Sequence, residues 1–143
     1  IYDTMWNSTE KMADAIAAGL IDEDIPVRPL HLRKNHRSDI MTQVLDSRAI
    51  IVGSPTLNNG LFPTVADILT YMKGLKPQNK IGAAFGSYGW SGEAAKLIRQ
   101  ELEAMKFELV DENLRWQYVP DENGVDACYE YGRTIGRMVK AQS

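Results

Sequence analysis

Ala49-Ile50-Ile51-Val52-Gly53 is apolar at every position and passes directly into Ser54-Pro55-Thr56-Leu57-Asn58-Asn59-Gly60. A strand with one solvated face alternates polar and apolar residues. A run without alternation suits a strand covered on both faces, as inside a parallel sheet. The polar stretch then sits at the carboxyl end of that strand. In open α/β sheets this is the end where ligands bind, near the point at which strand order reverses.

Outward from this run, strand and helix patterns alternate. Ile1 to Asp3 reads as the end of a strand. Ser8 or Thr9 is the expected cap of a helix carrying Met12, Ala13, Ile16, Ala17 and Leu20 at helical spacing, with Gly19 near its end. Val27 to Leu32, introduced by Pro26, reads as a second strand, and Ser38 opens a short helix carrying Ile40, Met41, Val44 and Leu45. Thr64 to Gly74 is helical, with Val65, Ile68, Leu69 and Met72 on one face. Lys80 to Phe85 is a fourth strand and Glu93 to Met105 an amphipathic helix. Phe107 to Val119 holds a last strand, interrupted near Asp111 to Asn113, and Val125 to Lys140 a closing helix. This order predicts a parallel sheet with helices on both faces. There is no repeat, low-complexity tract or linker, so residues 1–143 are expected to form a single domain.

Composition narrows the function. The net charge is -3, with no basic stripe to neutralise phosphates, which argues against a nucleic-acid or anionic-membrane partner. Cys128 is the only cysteine, so an internal disulfide is impossible and a reduced, cytoplasmic setting is the simplest expectation. His31 and His36 are the only histidines, too few for a histidine-rich metal cage. No apolar run approaches the roughly 20 residues of a membrane span. Ile1-Tyr2-Asp3 begins as the tail of a strand, which suggests a fragment of a longer protein whose first strand lacks its leading residues; an ordinary trimmed terminus is the alternative.

Three loops are expected at the carboxyl edge of the sheet. Thr4-Met5-Trp6-Asn7-Ser8-Thr9 joins a strand end to a helix start, where unpaired N–H groups and the helix dipole favour an anion. It contains no Lys or Arg, so a phosphate there would meet neutral dipoles; Ser8 and Thr9 also suit a plain helix cap. Pro55-Thr56-Leu57-Asn58-Asn59-Gly60 offers amides to the donor–acceptor edge of a heterocycle, or simply a turn. Ser87-Tyr88-Gly89-Trp90-Ser91-Gly92 combines glycines that allow close backbone approach with two aromatics that suit stacking, or core packing. A phosphorylated flat heterocycle satisfies all three loops together.

At these residues the chain resembles a known family. Thr4-Met5-Trp6-Asn7-Ser8-Thr9 resembles the flavodoxin phosphate loop T-x-T-G-x-T, with Asn7 in place of its glycine. Asn is the next most tolerant residue for a left-handed turn. The closer resemblance is to the C-terminal flavodoxin-like domain of flavodiiron proteins (A-type flavoproteins). It is carried by Asp3 to Met12, Gly53 to Gly60, Lys73 to Lys80 and Phe85 to Glu93. The resemblance implies a doubly wound five-stranded parallel sheet of order 2-1-3-4-5. It implies FMN, with its phosphate on Thr4 to Thr9 and its ring flanked by Pro55 to Gly60 and Ser87 to Gly92, Trp90 being the expected stacking partner. It further implies electrons passed from a protein donor, rubredoxin-type or a flavin reductase, to a diiron centre that reduces O2 or NO, across a head-to-tail homodimer. The diiron centre belongs to an N-terminal metallo-β-lactamase-like domain whose ligand motif is nowhere in this chain, so reduction of O2 or NO by this chain alone is not expected.

Other readings fare worse. No G-x-G-x-x-G follows the first strand, which disfavours a dinucleotide site. Gly89-Trp90-Ser91-Gly92-Glu93 lacks the final glycine of a nucleophile elbow. Cys128 reads as a packed core residue, His31 and His36 as surface or strand-end residues, and the methionines as core fillers. The competing function is a flavodoxin-like NAD(P)H:quinone reductase.

Overall fold

A computed structural model describes residues 1–5, 7–58, 60–88, 93–110, 114–117 and 120–142. The elements are α1 (Ser8–Asp22), α2 (Arg37–Asp46), β1 (Ala49–Leu57), β2 (Gly60–Leu61), α3 (Pro63–Leu75), β3 (Ile81–Tyr88), α4 (Glu93–Ala104), β4 (Glu108–Leu109), β5 (Leu114–Gln117) and α5 (Glu122–Ala141).

The apolar run at Ala49 forms the centre of the sheet. β1 and β3 pair in parallel from Ala49 opposite Ile81 to Pro55 opposite Ser87. β4 and β5 both pair in parallel with β3, at its start and its end respectively. Each face is covered, as the lack of alternation predicts. Ile50 and Val52 of β1 pack with Ile40, Val44, Ile68, Leu69, Met72, Ile98 and Leu102, from α2, α3 and α4. Ile81, Ala83 and Phe85 of β3 pack on the other side with Met12, Ile16, Leu20, Cys128 and Ile135, from α1 and α5. The two sets alternate along the strands because successive side chains leave a pleat on opposite faces. α1 and α5 approach each other through glycines. A Cβ on Gly19 would lie 2.1 Å from the Tyr129 carbonyl oxygen, and one on Gly132 2.1 Å from that of Ile16. Gly19 therefore marks a helix crossing, while α1 runs on to Asp22.

The sheet departs from the expected five parallel strands. The described strands are β1 to β5, in the order β2-β1-β3-β4 with β5 also on β3. The expected strand Val27 to Leu32 is absent as an element; only His31 bridges to Tyr2, and Tyr2 bridges in parallel to Gly53. Tyr2 donates to the Leu30 carbonyl (3.0 Å) and accepts from the Leu32 N–H (2.9 Å). Pro26 and Pro29 supply no N–H to extend this ladder. The last strand is split into β4 and β5, with Asp111 to Asn113 outside the described residues. β2 is an unforeseen antiparallel return onto β1, pairing Thr56 with Leu61 and Leu57 with Gly60.

The helix starts shift by one or two residues. Asn7, not Ser8 or Thr9, is the N-cap of α1. His36 caps α2, its Nδ1 accepting from the Ser38 N–H at 3.1 Å. Leu45, one of the four apolar residues that this helix carries in the sequence reading, is 54% exposed. Among the described residues no helix is long and apolar enough to cross a membrane.

Candidate functional site

The carboxyl ends of β1 and β3 lie side by side and extend further than the sequence suggested. β1 continues through Ser54, Pro55, Thr56 and Leu57, so half of the expected second loop is strand. The remainder is a hairpin tip. Asn58 takes a left-handed φ of 50°, Asn59 lies outside the described residues, and Gly60 begins β2. Ser54, fully buried, locks this hairpin: its Oγ accepts from the Phe62 N–H (3.1 Å) and donates to the Pro55 carbonyl (2.7 Å). β3 likewise runs through Ser87 and Tyr88. Gly89, Trp90, Ser91 and Gly92 lie outside the described residues, as does Trp6 of the first loop. The stacking role expected of Trp90 therefore has no geometry here.

The first loop reaches both neighbours. Asn7 adopts φ 62° and makes no side-chain cap, so the chain enters α1 through a left-handed residue, as its asparagine allows. Helix geometry leaves the N–H groups of Ser8 and Thr9 without an intrahelical acceptor. The Glu10 N–H is taken by Thr4 Oγ1 (3.3 Å) and that of Lys11 by the Asn7 carbonyl (3.1 Å). Thr4, Ser8 and Thr9 are buried, and Met5 is half-buried. Thr9 Oγ1 shares a hydrogen bond of 2.8 Å with Ser87 Oγ, tying the start of α1 to the end of β3. Thr56 Oγ1 accepts from the Ala94 N–H at 3.1 Å, tying the hairpin to the start of α4. The described parts of the three expected segments thus meet at one sheet edge. Glu10 is drawn aside by the Tyr2 hydroxyl, which donates to it at 3.2 Å. Burial, then the charge and hydrogen bond of Glu10, push the Tyr2 hydroxyl up to about 12, so it stays a donor.

The sequence reading assigned no role to Asp3, Arg33 or Thr64, yet they join at this edge. The Asp3 carboxylate is fully buried and accepts from Arg33 Nε (2.8 Å) and from the Thr64 hydroxyl. Arg33 Nη2 also donates to the Thr4 carbonyl at 2.7 Å. A cation therefore stands against a loop that contains none. No local pattern announces it, because Arg33 is 30 residues from Asp3.

A cavity of about 520 Å³ lies at the opposite end of the sheet, lined by Ile16, Leu20, Val27 and Ile50 among others. It is mainly apolar and shares no residue with the three loops. Among the described residues no group of three or more His, Cys, Asp or Glu is placed to hold a metal.

The sequence that builds this arrangement, an anion-favouring helix start beside two polar strand ends, matches a family profile. The flavodoxin profile covers residues 1–132. The chain belongs to the flavodoxin family. It is 45% identical over 139 residues to a nitric oxide reductase of Moorella thermoacetica, covering 96% of this chain and 35% of that protein. It is 45% identical over 141 residues to a rubredoxin-oxygen oxidoreductase of Megalodesulfovibrio gigas, covering 99% of this chain and 35% of that protein. The solved structure of rubredoxin oxygen:oxidoreductase from Desulfovibrio gigas superposes with a TM-score of 0.95 at 45% identity, over 98% of this chain and 35% of that one. A flavodoxin from the domain Archaea superposes with a TM-score of 0.89 at 31% identity, over 97% of this chain and 95% of that one. This flavodoxin-like chain thus spans about a third of the length of the curated relatives it matches and corresponds to the flavodoxin-like part of flavodiiron proteins. The cofactor that goes with this family is FMN.

Proposed function

We propose that this chain binds one FMN non-covalently and relays electrons through it, receiving them from a protein donor and delivering them to the diiron, O2- or NO-reducing centre of a longer flavodiiron-type protein. The observation that carries the reading is the meeting of the start of α1 with the carboxyl ends of β1 and β3, fastened by Thr9 to Ser87 and by Thr56 to Ala94. The donor set fits the cofactor. Thr4, Asn7, Ser8 and Thr9 would take the phosphate on N–H and hydroxyl groups at the positive end of α1. The residues from Pro55 to Gly60 and from Ser87 to Gly92 would flank the ring, with Trp90 stacking on it. Bound FMN supplies the electron-carrying chemistry. The chain supplies orientation and exclusion of water: Thr4, Thr9, Ser54 and Ser87 are buried, so their hydroxyls are fixed before a ligand arrives.

The finer parts of this reading rest on further support. The parallel bridges of Tyr2 to His31 and to Gly53 support the full strand order 2-1-3-4-5. Coverage of about a third of each curated relative supports reading residues 1–143 as one domain of a longer chain. On this reading the diiron domain belongs to the parent and faces the flavin across a head-to-tail homodimer. Similarity to the rubredoxin-oxygen oxidoreductase of M. gigas supports a rubredoxin-type donor. Cys128 is buried, and burial pushes its thiol up to about 12, which suits an inert core residue in a reduced, cytoplasmic setting.

The test is anaerobic reduction of the FMN-loaded chain. The relay predicts slow bleaching of the flavin by NADPH alone and fast bleaching by a reduced rubredoxin. Fast bleaching by NADPH, with turnover of a quinone, would instead establish the quinone reductase.

A further inference from the structure

Asp3 stands outside the set proposed to touch the cofactor, yet it is the most enclosed carboxylate at the site. A buried carboxylate is tolerated only when its charge is paired and its oxygens accept hydrogen bonds. Oδ1 accepts from the Thr4 N–H and from Arg33 Nε, each at 2.8 Å, and Oδ2 accepts from the Thr64 hydroxyl. His31 Nε2 lies 3.5 Å from Oδ1. Arg33 then turns back, donating from Nη2 to the Thr4 carbonyl at 2.7 Å, while its guanidinium lies 6.0 Å from the Phe62 ring centre.

Thr4 is therefore gripped at both of its peptide groups, the N–H by Asp3 and the carbonyl by Arg33. Thr4 is also the residue whose Oγ1 accepts from the Glu10 N–H in the first turn of α1. Thr64, in the first turn of α3, extends the grip to the segment leaving the hairpin. Asp3 and Arg33 cancel each other's charge, so the cluster can hold the loop without adding net charge beside it. We infer that Asp3, Arg33 and Thr64 form a positioning clamp that presets the Thr4 to Thr9 loop for the phosphate of the cofactor; this rests on the FMN reading above. The flat fork of arginine reaches both Asp3 and Thr4 at once, and the single ammonium of lysine cannot reproduce that geometry.

The clamp acts on the phosphate loop, so it separates FMN from riboflavin, which has the same ring and no phosphate. Dissociation constants for both are measured by fluorescence titration on the wild type, Arg33→Lys and Thr64→Val, with thermal melts of each apo chain. Arg33→Lys should weaken FMN by about tenfold or more, the worth of one charge-assisted hydrogen bond, and riboflavin by less than about threefold. Thr64→Val keeps the ion pair and should give a smaller loss in the same direction; it decides the matter if Arg33→Lys does not fold. Unchanged FMN affinity, or equal losses for the two flavins, overturns the clamp. A wild-type chain that holds neither flavin overturns the FMN reading itself, an outcome visible before any variant is made.

Discussion

The hydrogen bond between Thr9 and Ser87 joins the start of α1 to the end of β3, 78 residues apart in sequence, and its removal has a calculable effect. Thr9 is fully buried and Ser87 is 4% exposed, so water does not replace a lost partner. Thr9→Val preserves shape and deletes the hydroxyl, leaving Ser87 Oγ buried and unsatisfied. The expected cost is about 1–3 kcal/mol, the desolvation penalty of an orphaned hydroxyl. With roughly 2.1 cal/mol/K of unfolding entropy per residue, a 143-residue chain loses about 3–10 °C in Tm. Ser87→Ala should cost a similar amount by orphaning Thr9. The double variant removes both polar groups and should be more stable than either single one and close to wild type, because an apolar pair of similar shape carries no unsatisfied group. Urea unfolding of the four apo proteins gives the coupling energy directly. Single effects that add to within about 0.3–0.5 kcal/mol in the double variant would show that the two hydroxyls do not interact, and would remove the fastening of α1 to β3.

Three further outcomes follow from other parts of the molecule. Gly132→Ala places a methyl 2.1 Å from the Ile16 carbonyl oxygen, so α1 and α5 must separate; overpacking of about 1–3 kcal/mol should outweigh the helix propensity gained, and urea denaturation with unchanged stability would refute the close crossing. The hydrogen bonds of Lys140 and then Arg133 hold the Glu23 carboxyl below its ordinary value. Its stabilisation is therefore complete above the unfolded value near about 4.3 and fades as pH falls through the lower folded value. Glu23→Gln should lower Tm above about pH 5 and converge with wild type in stronger acid; a constant gap across pH would show that the carboxylate charge is irrelevant. Trp90→Ala should weaken FMN by about 1–3 kcal/mol, by analogy with the stacking of other planar bases on aromatics, and unchanged affinity by titration would take Trp90 out of the site.

What the sequence discloses and conceals has a physical pattern. β1, β3 and the helices are legible because their stability comes from periodic burial, and period is a local property of the chain. The ends of β1 and β3 are not. Ser54, Pro55, Ser87 and Tyr88 read as loop by composition, but each strand pairs with the other, and partners 32 residues apart leave no local trace. The second strand is shorter than its composition implies for the opposite reason. Val27 to Leu32 has strand composition, but Pro26 and Pro29 withhold N–H groups, leaving a single bridge at His31. Leu45 follows the apolar period of α2 and is exposed nonetheless, because a period does not reveal how far a neighbouring layer extends. The loops of the proposed site stand out in the sequence by their glycine, asparagine and hydroxyl content. The clamp was not, since Asp3, Arg33 and Thr64 come from three separated segments and each alone reads as an ordinary polar residue.

The central claim is that this chain holds FMN at the joined carboxyl ends of β1 and β3. Its most direct test is the visible absorption spectrum of the purified chain after mixing with excess FMN and gel filtration, with riboflavin in parallel. The account predicts a yellow protein that retains FMN in about equimolar amount and retains riboflavin less well, because the start of α1 adds its hold on the phosphate. A colourless protein whose melting temperature FMN does not raise would contradict it.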